Sequence, residues 1–251
     1  MSSRGHDINK VQAILFDQHL TITTVTEDSG TVTKRLATSV GIDLEDFTEE
    51  DFKKARDSCD ESWRKYQIDN DVGIDFGNEI HQWAIYDRMF FDALGLIDIE
   101  DETIIRLEEA WREFVTEWEV ILPDAKAILA ELQSRGYLLG LCTRRPENPT
   151  HLLKKWEILD YFTTMQWTSV PGYAKPSPYT LILAADELDV NPLRCAFVGN
   201  WVNSDIHAAQ RAGMIPVLTT WANPEEAKLA PEGIIIINKI SELLNLFRGP
   251  E

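Results

Sequence analysis

A chain of 251 residues, 44% hydrophobic and 26% charged, can bury one large domain or a core with an accessory domain. Its formal net charge of −18 argues against a nucleic-acid binder and against docking on anionic membranes, because both need clustered Lys and Arg. No window reaches the roughly 18 uninterrupted apolar residues of a membrane span, and the first residues lack the apolar segment of a signal peptide. Cys59, Cys142 and Cys195 share no metal-type spacing, so reduced structural thiols in a cytoplasmic protein are expected.

The first apolar run, "VQAILFD" (11–17), reads as a strand buried on both faces. It ends on a carboxylate, Asp17, with His19 two residues later. From about 25 to 118 the pattern becomes helical, in "EEDFKKARDSCDESWRKYQ", "NEIHQWAIYDRMFFDALG" and "DETIIRLEEAWREFVTEW". Trp83, Tyr86, Phe90 and Phe91 recur at about helical spacing, as do Trp111, Phe114 and Trp118, and predict a helix-bundle core whose acidic residues form a solvated face. Next come a helix in "DAKAILAELQSRG" (124–136) and a strand in "YLLGLCT" (137–143). A helix in "SPYTLILAADEL" (177–188), a strand in "CAFVGN" (195–200) and a helix in "NSDIHAAQRAG" (203–213) follow. The strands "MIPVLTT" (214–220) and "GIIIIN" (233–238) end the series. Gly136 and Gly213 serve as helix stops.

Strand–helix alternation predicts an α/β fold, a parallel Rossmann-like core over about 8–24 and 119–248 with right-handed crossovers. The all-helical segment 25–118 is inserted after the first strand. Ligands bind such sheets beyond the carboxyl ends of the strands, where Asp17, Thr143 and Asn200 fall.

Asp17 with Thr21 four residues on, the strand ending at Thr143, the lysine in "AKPSP" and the segment "FVGNWVNSDIHAAQRAGM" together resemble the four motifs of the haloacid dehalogenase-like superfamily. The fourth segment is the most specific, and the resemblance covers the whole chain. It implies a helical cap and a Mg²⁺-dependent hydrolase of a small phosphorylated metabolite. Under it, Asp17 would be the nucleophile, forming an aspartyl-phosphate. Thr143 would bind a substrate oxygen, and Lys175 would neutralise Asp17 and the substrate. Asp17, the backbone carbonyl of His19, Asn200 and Asp205 would hold the metal. Arg144 and Arg145 are either surface arginines or anion-binding residues beside Thr143, with Arg144 the one expected to bind substrate alongside Thr143 and Lys175.

Two positions depart from the family pattern. His19 stands where the usual second aspartate of motif one protonates the leaving group, and Asn200 stands where motif four supplies a metal-binding aspartate. Mg²⁺ favours carboxylates, so the ion is expected to be weakly held or absent. His19 has three readings: a substitute acid/base, a mark of a different reaction, or a mark of lost catalysis. The alternatives to a phosphatase are accordingly a metal-independent haloacid dehalogenase-type C–X hydrolase and a catalytically lapsed binding protein. Family dehalogenases carry Asn directly after motif two, where this chain has Arg144, and the Asn200-to-Asp205 spacing is that of the phosphatases. No nucleic-acid or membrane partner is expected, and nothing in the sequence signals an oligomeric state.

Overall fold

Side-chain alternation along one short strand sets the layers. In β1 (Ala13–Phe16), Ala13 and Leu15 pack with Leu181, Ala184, Phe197 and Ala208, whereas Ile14 and Phe16 pack with Ile128, Leu129, Leu152 and Phe247. All four strand residues are fully buried, so β1 is covered on both faces, as its unbroken apolar run requires. Each large side chain so buried contributes about 1.5–3 kcal/mol. The computed structural model describes residues 7–74, 76 and 79–250; the expected helix start at Asn78 lies outside them.

Two short strands, β2 (Thr23–Val25) and β3 (Glu119–Ile121), pair with each other. β1 belongs to a six-stranded sheet with β4 (Leu138–Thr143), β5 (Thr164–Trp167), β6 (Cys195–Gly199), β7 (Ile215–Thr219) and β8 (Ile235–Ile237). The order is β5-β4-β1-β6-β7-β8 and every neighbouring pair is parallel. Phe16 lies opposite Leu141 of β4 and Val198 of β6. That register brings Asp17, Thr143 and Asn200 to one carboxyl edge, at the ends of three adjacent strands.

The chain divides into two compact units, one of Val25–Glu119 and one of the residues before and after it. The inserted unit is helical: α1 (Ser29–Ser39), α2 (Glu49–Asp69), α3 (Ile80–Ala93) and α4 (Asp101–Trp118). α2 starts at a reciprocal cap, in which Asp51 N donates to Thr48 Oγ1 (3.3 Å) and Thr48 N donates to Asp51 Oδ2 (2.9 Å). Phe90 and Phe91 join Phe52, Ile104 and Leu107 in its core, with Tyr86, Trp111, Phe114 and Trp118 packed around them.

Around the sheet lie α5 (Ala125–Ser134), α6 (Thr150–Lys155), α7 (Tyr179–Glu187), α8 (His207–Ala212), α9 (Glu226–Leu229) and α10 (Leu243–Leu246). The expected helix over 203–213 differs from the observed one. Val202–Ile206 forms a wider π turn and only then does α8 begin, ending at Gly213 with φ +77°. Edge strand β5 and helix α6 were not expected from the sequence. Cys59, Cys142 and Cys195 are free and buried. Among the described residues, no helix is long and apolar enough to cross a membrane.

Candidate active site

β1 hands Asp17 to the sheet edge, where Asp17 N still donates to Val198 O at 2.9 Å. The chain then turns tightly: Thr21 N and Ile22 N both donate to Gln18 O, at 3.2 and 3.1 Å. Leu20 closes that turn with φ +55°, a conformation that favours glycine and costs a branched side chain roughly 1–2 kcal/mol. The turn brings the Thr21 hydroxyl to 3.3 Å from both Asp17 Oδ2 and Asn200 Oδ1.

Lys175 joins the two acidic residues of the site. Its Nζ lies 2.6 Å from Asp17 Oδ1 and 2.7 Å from Asp205 Oδ1, and all three residues are buried. The ammonium also sits over the Phe197 ring, 5.0 Å from its centroid. Burial alone would lower the Lys175 pKa, but Asp17 and Asp205 outweigh it and hold the group above its ordinary value. Burial raises Asp205, against the pull of Lys175.

The second oxygen of Asp205 is also engaged, accepting from Asn200 N and Trp201 N at 3.0 Å each. This fold-back explains Gly199, since a Cβ there would fall 2.4 Å from Asp205 Cβ and Cγ. The buried Glu226 accepts from Val202 N at 2.7 Å and anchors the start of the π turn that carries Asp205.

On the other side of β1, Thr143 is buried and its Oγ1 accepts from Arg145 N at 3.4 Å. The two arginines that follow part company. Arg144 is exposed, whereas the Arg145 side chain is 12% exposed and lies 3.6 Å from Glu147 Oε1. With its amide oxygen turned to the guanidinium, Gln18 accepts from Arg145 Nε at 2.8 Å and Nη2 at 3.1 Å. Burial lowers the His19 pKa; Asp17 opposes this and Arg145 adds to it, which places Arg145 within electrostatic reach of both. The turn residue Gln18, Glu147 and the bridging Thr21 hydroxyl were not singled out as site groups from the sequence. Thr21 had a signal, its spacing of four from Asp17; Gln18 and Glu147 had none.

Comparison with known proteins bears on this constellation. A family model described as haloacid dehalogenase-like hydrolase matches residues 11–213. The chain belongs to the haloacid dehalogenase-like hydrolase family. A phosphoglycolate phosphatase of Escherichia coli K12 is 31% identical over 154 residues, which are 59% of this chain and 61% of that protein. The chain thus spans less than two thirds of the length of that relative. Among solved structures, a predicted phosphoglycolate phosphatase from Haemophilus somnus superposes with a TM-score of 0.68 at 18% identity, covering 94% of this chain and 98% of that one. A 2-haloacid dehalogenase from Pseudomonas syringae gives 0.61 at 19% identity, covering 95% and 98%. These two likenesses show the fold: a Rossmann-like α/β core with an inserted helical unit.

The donor set decides how well a haloacid dehalogenase-like site of this composition fits magnesium. A hard divalent cation seeks charged oxygen ligands in near-octahedral array. Both Asp205 oxygens are engaged, one by Lys175 and one by two backbone N–H groups. Asp17 shares its charge with the same lysine, and Asn200 contributes a neutral oxygen. Among the described residues, no three His, Cys, Asp or Glu side chains group as a metal cluster. The residues present do not fit Mg²⁺.

Proposed function

We propose that this chain hydrolyses a small phosphorylated metabolite through an aspartyl-phosphate on Asp17. The observation that carries the reading is the buried Lys175 ammonium held between Asp17 and Asp205, at 2.6 and 2.7 Å. That cation offsets the carboxylate charge facing an anionic substrate, which two bare carboxylates would repel. The substrate class follows from the Escherichia coli relative, a phosphoglycolate phosphatase.

In the first step an Asp17 oxygen bonds to phosphorus and the ester P–O bond breaks; the alkoxide that leaves takes its proton from solvent. The Thr143 hydroxyl binds a phosphoryl oxygen, and Lys175 offsets the charge that builds on the phosphoryl group. In the second step water, deprotonated by the His19 imidazole, attacks the phosphorus and frees Asp17 with inorganic phosphate. Asp205 holds Lys175 in place. The cofactor implied by the family resemblance is Mg²⁺, weakly held or absent; on the donor set described above, no step is routed through it. By the family resemblance the helical unit Val25–Glu119 is the cap, whose residues would choose the substrate.

A metal-independent C–X hydrolase would use the same Asp17 and Lys175, and the neutral Asn200 favours it as the second reading. Phosphate release from a panel of phosphomonoesters tests the proposal. Wild type should turn over and Asp17→Asn should not. Phosphate esters inert with wild type, together with halide release from a haloacid, would overturn it.

A further inference from the structure

We propose that Arg145 is the phosphate receptor of this site and supplies the positive charge that a divalent cation would otherwise bring. The inference rests on the reading of Asp17 as the centre of a phosphomonoester site, and goes beyond it in naming what binds the substrate's charge. Its first support is position. Arg145 follows Thr143 at the carboxyl end of β4, and β4 pairs with β1, the strand that delivers Asp17. Its guanidinium is held by Gln18, the residue that directly follows Asp17.

The second support is that the guanidinium is preorganised. Gln18, adjacent to Asp17, accepts from Nε and Nη2, at 2.8 and 3.1 Å, and Glu147 lies 3.6 Å from Nη1. These contacts fix the guanidinium plane and take up its Nε and one Nη2 hydrogen, so the edge shared by Nη1 and Nη2 is the one to pair with phosphate oxygens, a planar match an ammonium cannot make. A solvated surface arginine needs no such bracing; this one is 12% exposed, while its neighbour Arg144 is exposed.

The third support is charge balance. Three carboxylates (Asp17, Glu147 and Asp205) face two cations (Lys175 and Arg145), which leaves one excess negative charge without any ion. Aspartates at 19 and 200 would add two negative charges, the amount one divalent cation cancels. This chain has neither, so the cluster lacks the charge that would retain the ion, and a fixed cation is bound to Gln18, the residue after Asp17.

Calorimetric titration of the full chain with inorganic phosphate, in chelator and then with excess Mg²⁺, tests the inference. Wild type should bind phosphate in chelator, with affinity unchanged by Mg²⁺. Arg145→Ala should bind roughly 10- to 100-fold more weakly, the worth of one or two charge-assisted hydrogen bonds. Arg145→Lys keeps the charge but loses the fork and should fall between the two; it also serves if Arg145→Ala does not fold. Phosphate binding that requires Mg²⁺, equal binding by wild type and both variants, or no binding by wild type in either condition would each overturn it. Failure of the hydrolase reading looks different: Arg145-dependent phosphate binding intact, and no phosphomonoester turned over.

Discussion

Lys175 Nζ stands 2.6 Å from Asp17 Oδ1, although 158 residues separate the two in sequence. The contact forms because β1 and the segment before α7 end on the same side of the sheet, and because Asp205 takes a second share of the ammonium at 2.7 Å. Removing the lysine would leave two buried carboxylates facing each other without a countercharge.

Lys175→Met is therefore expected to cost about 3–5 kcal/mol of stability at neutral pH, as loss of one partner from a buried ion pair does. The variant's carboxyl pKa values should rise, so its folded state binds more protons than its unfolded state. Its deficit should shrink as pH falls into the carboxyl range. Chemical denaturation at neutral and acidic pH measures both; a deficit independent of pH would show that the lost packing, not the charge, matters.

On the proposed mechanism, His19 would set the leaving-group preference. Burial depresses its pKa, so at neutral pH the imidazole can accept a proton but has none to give to a departing alkoxide. Aryl phosphates, whose leaving groups need no proton, should turn over faster than alkyl phosphates. The alkyl rate should rise as pH falls and the protonated fraction grows. His19→Ala should slow breakdown of the aspartyl-phosphate by roughly 10²–10⁴-fold while leaving an initial burst from an aryl ester. Stopped-flow absorbance resolves burst from steady state, and equal steady-state rates in the two proteins would remove the base role.

Asn200→Asp, alone and with His19→Asp, should create Mg²⁺ affinity that the wild type lacks, because each substitution adds a charged oxygen next to Asp17. Calorimetry with Mg²⁺ checks this without reference to turnover. If neither variant binds more tightly than wild type, the oxygens at 200 and 17 do not converge on a common ion position.

A further expectation concerns the helical unit. Burial and the neighbouring Glu108 carboxyl raise Asp87 well above the usual carboxylate range, and Asp87 Oδ2 lacks a hydrogen-bond partner among the described residues. The raised group's stabilising contribution is full below the ordinary carboxyl pKa and is lost as pH rises through the folded-state value. Asp87→Asn should raise the thermal midpoint at neutral pH and flatten its fall with rising pH. A lower midpoint at neutral pH would mean that the carboxylate has a compensating partner.

Much of the architecture was legible because buried parallel strands announce themselves as unbroken apolar runs. "VQAILFD" and "YLLGLCT" needed no alternation to be read. β5 escaped because "TMQW" is a half-exposed edge strand, buried only at Thr164, with no apolar run to mark it. The π turn escaped because it depends on Asp205 folding back onto the backbone at 200 and 201, a contact that helical spacing does not encode. In the site, the motif spacing singled out Asp17, Thr143, Lys175 and Asp205. It favoured Arg144 over Arg145, yet Arg144 is exposed and the Arg145 side chain is the more buried, because adjacent residues beyond a strand end point in different directions and only the fold decides which is buried.

The most direct measurement is acid quench of the enzyme during turnover of para-nitrophenyl phosphate, followed by peptide mass spectrometry. One phosphoryl group should appear on the peptide that carries Asp17, should accumulate in His19→Ala, and should be absent in Asp17→Asn. Phosphate release that continues in Asp17→Asn, or a phosphoryl group found on another peptide, would contradict Asp17 as the nucleophile.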